Sequence, residues 1–320
     1  MSKFDPYEHL NVSLNSDGSL TRYVKLPTSA ATGEAPRNPS ESALSHDVTL
    51  NSDKNTWMRI YRPARIPSND NAVVRLPIIF YFRPGGWIQR SIAETIIHGG
   101  NERLAAEVPA IVVAVEYRLA PESRLPAQYD DAIDAVVWVR NQAAIGNDGF
   151  PWIRDFADRT RCYLYGASCG ANIAFQAALR LPEIDLKPLV VAGTILNQPF
   201  FGSMKRTKSE LKLATDQFFP LPVQDLLWEL ALPPGTNRDH HYSNPFTYRG
   251  MQEKLKSLGR CLIIGFAGDP LVDRQQDFVR MLVEEGIMVE ARFDDAGFHG
   301  IDLIDSRRAS AIHSFIKDFV

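Results

Sequence analysis

Short apolar runs alternate with longer amphipathic stretches from about residue 74 to the C-terminus. The runs 76–82 (LPIIFYF) and 110–117 (AIVVAVEY) are short and rich in β-branched or aromatic residues, which is typical of buried strands. Residues 129–142 (YDDAIDAVVWVRNQ) instead carry apolar side chains at helical spacing, with acidic residues near the start. The same criteria predict strands at RCYLYGAS, LVVAGTILNQPF, RCLIIGFAGD and VEARFDD, and helices at ANIAFQAALRL, RQQDFVRMLVEEG and SRRASAIHSFIKDFV.

This alternation predicts an α/β fold, with parallel strands joined by right-handed crossovers and helices on both faces of the sheet. Functional residues in such sheets lie at the carboxyl ends of the strands. Residues 1–45 do not fit the alternation, because they are polar and show little periodicity. Residues 202–245 are too long for a simple crossover and contain the helical segment PVQDLLWELALPPG. We expect this insertion to form a lid above the strand ends.

The composition of the chain argues against nucleic-acid-binding, membrane-spanning and disulfide-rich secreted proteins. The chain has 320 residues, of which 45% are hydrophobic and 23% charged, and a formal net charge of −3. A slightly acidic balance without a basic block argues against nucleic-acid binding. No stretch approaches the roughly 18 apolar residues that a membrane helix needs. Cys162, Cys169 and Cys261 cannot form a disulfide framework, and no apolar signal segment opens the sequence, so we predict a cytoplasmic protein.

The segment Gly166-Ala167-Ser168-Cys169-Gly170 is a G-x-S-x-G motif between a predicted strand and a predicted helix. A nucleophile elbow has this strand–turn–helix setting, and its sharp turn requires residues without side chains two positions before and after the serine. A glycine-rich turn with no catalytic role is the alternative. The setting favours Ser168 as a nucleophile.

A serine nucleophile needs a base, and the base needs an orienting acid. In α/β-hydrolases these follow the serine as acid and then histidine. Asp269 follows the predicted strand RCLIIGFAG and His299 follows VEARFDDAGF, so both lie just past strand ends, as Ser168 does. Asp273 is the rival acid, but it falls further into the following turn and is more typical of a helix N-cap. The sequence therefore predicts a triad of Ser168, His299 and Asp269.

An oxyanion hole uses the N–H of the residue after the nucleophile, here Cys169, and a Gly-rich loop after an early strand. Gly85 and Gly86 follow LPIIFYF in the required position, and each donor can contribute about 3 kcal/mol to transition-state stabilisation. The Cys169 thiol is interpreted as a small packing group. His240 and His241 are adjacent and have no further ligands at usable spacing, so no metal site is predicted.

With these motifs the chain resembles the plant carboxylesterases of the hormone-sensitive-lipase-like branch of α/β-hydrolases. The resemblance is carried nearly end to end by DPYEHLNVSLNSDGSLTR, MRIYRPARIP, the Gly-rich loop, VEYRLAPESRLPAQYDDA, GASCGANIAF, GDPLVDRQQDF and GFHG. It implies one α/β-hydrolase domain over 1–320, a cap formed by about 1–45 and about 202–245, and no cofactor. It also implies these roles: Ser168 as nucleophile, Asp269 as acid, His299 as base, and Gly85, Gly86 and Cys169 as N–H donors.

Two departures from the family pattern lie beside the reacting centre. The family's loop normally reads His-Gly-Gly-Gly, whereas this chain has Arg83-Pro84-Gly85-Gly86, and Pro84 has no N–H. Ala167 stands where the elbow normally carries an acid. The opening segment and the altered loop are similar to those of the monoterpene indole alkaloid cyclases of this family. That similarity implies a cyclase that promotes loss of acetate from an acetylated precondylocarpine-type intermediate and closes an iboga or aspidosperma skeleton.

The complete triad supports an alternative function, a serine carboxylesterase that hydrolyses small apolar esters. Gibberellin receptors also resemble the family but lack the triad histidine, which is present here as His299. For either enzyme we expect Arg83, Trp87, Phe218 and Trp228 to bind substrate, with packing of the cap as the alternative role of the aromatic residues. We expect a small apolar ester or alkaloid as the substrate and neither nucleic acid nor membrane as a partner. Whether the chain forms a homodimer is left open.

Overall fold

The computed structural model of the protein describes residues 4–35, 40–69 and 72–320. Strands account for the short apolar runs of the sequence. In the described residues they are β1 (Val12–Leu14), β2 (Leu20–Arg22), β3 (Ala43–Asn51), β4 (Thr56–Pro63), β5 (Ser68–Asn69), β6 (Ala72–Val73), β7 (Leu76–Phe82), β8 (Ile111–Glu116), β9 (Ala157–Ala167), β10 (Val191–Asn197), β11 (Arg260–Gly268) and β12 (Val289–Phe298).

Helices occupy most of the amphipathic stretches. They are α1 (Pro6–His9), α2 (Thr95–Glu107), α3 (Ala127–Ala144), α4 (Pro151–Phe156), α5 (Cys169–Ala178), α6 (Lys208–Lys212), α7 (Leu221–Ala231), α8 (Gln252–Leu255), α9 (Val272–Glu284) and α10 (Ser306–Phe319). Single 3₁₀ turns lie at Gly146–Asp148, Leu181–Glu183, Pro245–Tyr248, Lys256–Leu258 and Ile301–Leu303. Within the described ranges, the helices are all too short or too polar to cross a bilayer.

One eight-stranded sheet has the order β12-β11-β10-β9-β7-β8-β4-β3. The six strands from β12 to β8 are parallel, and β4 is antiparallel to both of its neighbours. Every residue of β7 is buried, because helices cover both faces of the sheet centre. The predicted α/β fold with a mostly parallel sheet is confirmed, and the carboxyl ends of β7, β9, β10, β11 and β12 meet along one edge.

The antiparallel strands β3 and β4 lie before residue 74, where the sequence pattern predicts no strand. Their side chains include Asp47 and Arg59, which form an ion pair at 2.6 Å, so the strands do not show a continuous apolar run. A hairpin of this kind is held by cross-strand pairs and by packing against α2, both of which are contacts that a local pattern does not reveal.

The N-terminal segment and the insertion at 202–245 meet above the strand ends. Helix α1 packs against α7, and the Thr95 N–H at the start of α2 donates to the Pro27 carbonyl at 2.8 Å. Arg22 reaches across to Glu122, with Nη2 and Oε2 2.7 Å apart. Residues from about 43 onward belong to β3 and so to the sheet. β3 thus begins within the expected cap segment of about 1–45.

Candidate active site

The turn between β9 and α5 places Ser168 at the carboxyl edge of the sheet. Ser168 has φ +56° and ψ −121°, a conformation that side chains rarely adopt and that the surrounding structure must stabilise. A Cβ on Gly166 would lie 2.0 Å from the Gly170 carbonyl oxygen, and a Cβ on Gly170 would lie 2.0 Å from the Phe82 carbonyl oxygen. Only glycine fits at these two positions, because the backbone passes too close for any side chain.

A chain of two hydrogen bonds joins the three residues of the predicted triad. His299 Nε2 lies 2.8 Å from Ser168 Oγ, and His299 Nδ1 lies 3.0 Å from Asp269 Oδ2. Asp269 is fully buried and His299 follows directly after β12. The rival acid Asp273 lies in the first turn of α9, where its carboxylate accepts the Ser209 N–H at 2.8 Å. The structure thus brings Ser168, His299 and Asp269 into one hydrogen-bonded line.

Gln198 is a residue of the site that sequence analysis missed. It follows β10 with φ +48°, and its Nε2 donates to Asp269 Oδ2 at 3.1 Å and to the Phe298 carbonyl at 3.0 Å. Its Oε1 accepts the Gly300 N–H at 3.0 Å. The Gln198 side chain therefore binds Asp269 and the residues on either side of His299, Phe298 and Gly300. The predicted strand LVVAGTILNQPF runs through Gln198, so the sequence contains no signal for it. The structure ends β10 at Asn197 and thereby gives Gln198 the position directly after a strand that Ser168, Asp269 and His299 also occupy.

The Gly-rich loop runs beside the nucleophile. Gly85 and Gly86 line the same cavity as Ser168 and have φ +134° and +62°. A Cβ on Gly86 would meet the Leu227 side chain at 2.6 Å. Within the described chain, no acceptor contacts the N–H of Gly85 or of Cys169, the first residue of α5. Both N–H groups thus lack an acceptor, and that of Cys169 lies at the N-terminus of α5, a position that favours an anion.

The Cys169 side chain lies on the protein side of the elbow. It is fully buried, and its Sγ lies 3.4 Å from the Trp87 backbone N. Burial raises the pKa of the Cys169 thiol, while contacts with Tyr117 and with the N–H groups of Trp87 and Gly86 act in the opposite direction. A neutral thiol packed in this way supports the interpretation of Cys169 as a packing side chain whose backbone faces the site.

Arg83 does not reach the cavity, which corrects the expectation that it binds substrate. Its side chain is fully buried beneath the loop, with Nε 3.2 Å from Glu116 Oε2 and Nη1 donating to the Gln89 carbonyl at 3.0 Å. Its guanidinium lies over the Tyr117 ring, 4.0 Å from the centroid. Burial opposes the charge of Arg83, but the charge of Glu116 and its hydrogen bond to Arg83 outweigh burial and hold the pKa of Arg83 above its ordinary value. Arg83 therefore stabilises the Gly-rich loop by binding it to residues of the core.

Trp87 and Trp228 also pack away from the cavity, contrary to expectation. Both are buried, with ring centroids 4.5 Å apart, and both contact the Phe200 ring at 5.2 and 4.9 Å. The Phe200 N–H donates to the Ser168 carbonyl at 3.1 Å, so these rings fill the space next to the elbow. Their positions follow from packing between α7 and the loop, which the sequence alone did not reveal.

Phe218 is the predicted substrate-binding residue that does line the cavity. The cavity has a volume of about 490 Å³ and contains Ser168 and His299 in its wall. The Phe218 ring is 51% exposed and stacks on Phe298 with centroids 4.7 Å apart. Phe219, beside it, stacks on the His299 ring at 4.3 Å with an interplanar angle of 11°. The insertion thus places one aromatic ring on His299 and a second on Phe298, the residue before it.

The cavity has a largely apolar mouth. Its lining side chains come from the N-terminal segment, α2, the insertion and the turn after His299, so its shape depends on contacts between distant parts of the chain. Apolar residues that are at least one-third exposed line it at Val24, Leu26, Ile96, Phe218 and Ile304. Such a surface suits an apolar organic molecule. In the described residues no group of three His, Cys, Asp or Glu side chains is arranged to hold a metal ion.

Comparison with known proteins agrees with this geometry. A family model described as alpha/beta hydrolase fold matches residues 79–303. The chain is 50% identical to "Probable carboxylesterase 9" of Arabidopsis thaliana, over 99% of this chain and 97% of that protein. It is 42% identical to a 3-O-acetylpapaveroxine carboxylesterase of Papaver somniferum, over 99% of both chains.

Solved structures show the same fold. A carboxyl esterase from Tuber melanosporum superposes with a TM-score of 0.72 at 20% identity, covering 89% of each chain. Since identity at that level shows the fold alone, the family rests on the sequence relatives and on the matching family model. The elbow, the sheet order and the end-to-end relatives agree, and the chain belongs to the plant carboxylesterase family of α/β-hydrolases.

Proposed function

We propose that this protein is a serine carboxylesterase that hydrolyses esters of short acids, acetates above all, with bulky apolar alcohols. The observation that carries the proposal is the hydrogen-bonded line from Ser168 Oγ through His299 to Asp269, at 2.8 and 3.0 Å, in the wall of an apolar cavity. A nucleophile, a base and an orienting acid in this arrangement are what acyl transfer requires.

In the first half of the reaction, Ser168 Oγ attacks the ester carbonyl carbon while His299 Nε2 takes the hydroxyl proton. The carbonyl oxygen gains a negative charge, which the N–H groups of Gly85 and Cys169 stabilise. The Gly86 N–H, also expected to be a donor, contacts the Cys169 sulfur instead. Asp269 keeps His299 oriented and stabilises the imidazolium. The bond to the alcohol oxygen then breaks, and His299 returns its proton to that oxygen, leaving an acyl-Ser168.

The second half repeats these steps with water. His299 Nε2 takes a proton from a water molecule, whose oxygen attacks the acyl carbon, and the oxyanion again lies in the same hole. When the bond to Ser168 Oγ breaks, the proton on His299 goes to Oγ. The products are the free alcohol and the acid, and the enzyme is restored with one water consumed.

The proposed substrate shape rests on a difference between the two sides of Ser168. On one side Trp87, Phe200 and Trp228 pack together next to the elbow, and we therefore place a short acyl group there. On the other side the cavity opens towards Val24 and Ile304 and accepts a large one. The poppy relative's name, which contains an O-acetyl substrate, supports placing the acetyl group on the filled side.

Hydrolysis of p-nitrophenyl acetate by the wild type and by Ser168→Ala tests the proposal. We expect turnover by the wild type and a loss of at least about 10⁴-fold in kcat for the variant, because removal of a triad nucleophile costs that much or more. Circular dichroism spectra check that both proteins are folded. A folded wild type without turnover, or a variant that retains it, would overturn the proposal.

The Pro84 substitution in the loop favours a second candidate, the alkaloid cyclase. In that reaction acetate leaves without hydrolysis, and the cavity holds the reactive product folded for ring closure. Incubation with the acetylated precondylocarpine-type intermediate distinguishes the two functions by mass spectrometry. A cyclised product supports the cyclase, whereas the deacetylated alcohol alone supports the esterase.

A further inference from the structure

The charged side chains that line the cavity are not all paired. Arg90 Nη1 lies 3.2 Å from Glu94 Oε2, and Arg22 is paired with Glu122 outside the cavity wall. Asp302 lines the same cavity, and no described Lys or Arg forms an ion pair with it. The cavity therefore contains one carboxyl group with which no described Lys or Arg pairs.

Asp302 lies in the 3₁₀ turn Ile301–Leu303, three residues after His299. Its Oδ2 accepts a hydrogen bond from Asn197 Nδ2 at 3.2 Å. The nearby His299 does not pair with it, because both ring nitrogens are engaged by Ser168 and Asp269. Burial raises the pKa of the Asp302 carboxyl, and the nearby His299 and the Asn197 hydrogen bond offset this only in part.

The cavity that Asp302 lines also has aromatic walls. Phe218, Phe219 and Phe298 all line the cavity, and the first and last of these stack in parallel. The face of an aromatic ring attracts a cation, and quaternary or tertiary ammonium groups are bound by rings of this kind. A carboxylate together with aromatic walls is thus complementary to an alkylammonium group, which is both apolar at its surface and positively charged.

We propose that this cavity selects esters whose alcohol part carries a tertiary or quaternary alkylammonium group, and that Asp302 is the residue that recognises the cation. The inference rests on the proposed ester hydrolysis and names the class of its substrate. A bound cation supplies the charge that Asp302 lacks, and its alkyl groups contact Phe218 and Phe298. Asp302 is a specificity-determining residue in this account and takes no part in bond breaking.

Binding to Ser168→Ala tests the inference without turnover. Two ligands of the same shape are titrated by calorimetry: acetylcholine, and 3,3-dimethylbutyl acetate, in which a neutral carbon replaces the ammonium nitrogen. We expect Ser168→Ala to bind acetylcholine at least tenfold more tightly than the neutral ester. In the double variant with Asp302→Asn the ratio should fall to about twofold or less, because the asparagine keeps the shape and loses the charge.

Asp305→Asn in the same Ser168→Ala background is the matched control. Asp305 lies three residues further on, outside the cavity wall, and accepts the Arg307 N–H at 2.9 Å as an N-cap. Asparagine caps a helix as well as aspartate does, so this variant removes one nearby charge without loss of fold. The preference for acetylcholine should be unchanged, and thermal unfolding of both double variants checks that each is folded.

The outcomes separate this inference from the proposed function. An equal affinity for the two esters in Ser168→Ala, or a preference that survives Asp302→Asn, overturns the inference. If Asp302→Asn weakens both ligands equally, Asp302 acts as a hydrogen-bond acceptor or a structural group, and the inference is also wrong. Hydrolysis of the neutral ester by the wild type is measured separately. Its absence together with selective binding of the cation contradicts the esterase proposal alone.

Discussion

Two different kinds of contact position His299: hydrogen bonds through Asp269 on the side of the sheet, and ring packing on the side of the cap. On the sheet side, Asp269 is fully buried and accepts hydrogen bonds from Gln198, from Gln275 at 2.9 Å and from the Leu271 N–H at 2.9 Å. On the cap side, the Phe219 ring lies flat on the imidazole and makes no hydrogen bond with it. The same base is thus fixed by directional bonds below and by ring packing above.

We expect the hydrogen bonds on the sheet side to determine the rate of the chemical step, and the packing on the cap side to determine which substrate is preferred. Hydrogen bonds are directional, so the bonds around Asp269 determine the orientation of His299 and the geometry of proton transfer. Contacts between apolar groups depend on shape and volume, so the cap determines which molecule fits beside Ser168. Substitutions on the sheet side should change kcat strongly, and substitutions in the cap should change which substrate is preferred.

We expect the largest loss of activity and stability from a substitution in the elbow, where the backbone of one segment lies directly against another. In Gly170→Ala the new Cβ would meet the Phe82 carbonyl oxygen at 2.0 Å, so the elbow must shift. We expect destabilisation by at least about 3 kcal/mol and loss of ester hydrolysis by more than about 1,000-fold. Urea unfolding and initial rates measure the two effects.

Gly100→Ala is the control for this variant, because Gly100 lies in α2 and a Cβ there meets nothing within 4 Å. It should retain full activity and gain up to about 1 kcal/mol of stability, since alanine favours the helix. Equal losses in the two variants would show that the elbow is not specially constrained.

The next effect tests the hydrogen bonds on the sheet side. Gln198→Asn keeps an amide and tolerates the positive φ, but its side chain is too short to bind both Asp269 and the backbone around His299. We expect kcat to fall about 100-fold with KM nearly unchanged, because the base loses its alignment. Steady-state kinetics on p-nitrophenyl acetate give both constants.

Gln176→Asn is the matched control for Gln198, since Gln176 is another buried amide, bonded to the His241 carbonyl at 3.0 Å. It should lose stability to a similar degree and retain kcat. If Gln198→Asn changes stability but not kcat, the amide is a structural group and the division between the two sides is wrong.

A smaller effect is expected from opening the filled side of the cavity. Leu227 lies against Gly86, and Leu227→Ala would leave space beside the oxyanion loop. We expect the ratio of kcat/KM for p-nitrophenyl hexanoate to that for the acetate to rise about tenfold, because apolar pockets discriminate by about that factor. Leu230→Ala, on the same helix and outside the cavity wall, should leave the ratio unchanged. An unchanged ratio in Leu227→Ala would place the acyl group elsewhere.

The smallest effect concerns the mouth of the cavity. Phe218 is half exposed, so Phe218→Ala removes a partial contact with a bulky alcohol group. For an ester of a polycyclic alcohol we expect KM to rise about threefold and kcat to stay constant, because the lost contact is present before and during the reaction. Methyl acetate, which does not reach the mouth, should show no change. A fall in kcat would instead mean that Phe218 helps to hold His299.

The catalytic constellation was predictable because its residues belong to local motifs. Ser168, Asp269 and His299 each come directly after a strand, and parallel strands end at a common edge, so position along the chain implies position in space. The elbow glycines could be predicted for a similar reason, since the turn geometry is local. Gln198 has the same placement but no motif of its own, and only its bonds to Asp269 and to the His299 loop show its role.

The sequence by itself thus determined the α/β fold, the alternation of strands and helices after about residue 74, and the three residues that the structure joins in one hydrogen-bonded line. Tertiary structure alone decided what surrounds them. It turned Arg83 into the core to pair with Glu116, filled one side of Ser168 with Trp87 and Trp228, and left Asp302 unpaired in the cavity wall. These outcomes depend on packing between segments far apart in the chain, and no local pattern of hydrophobic and polar residues specifies such packing.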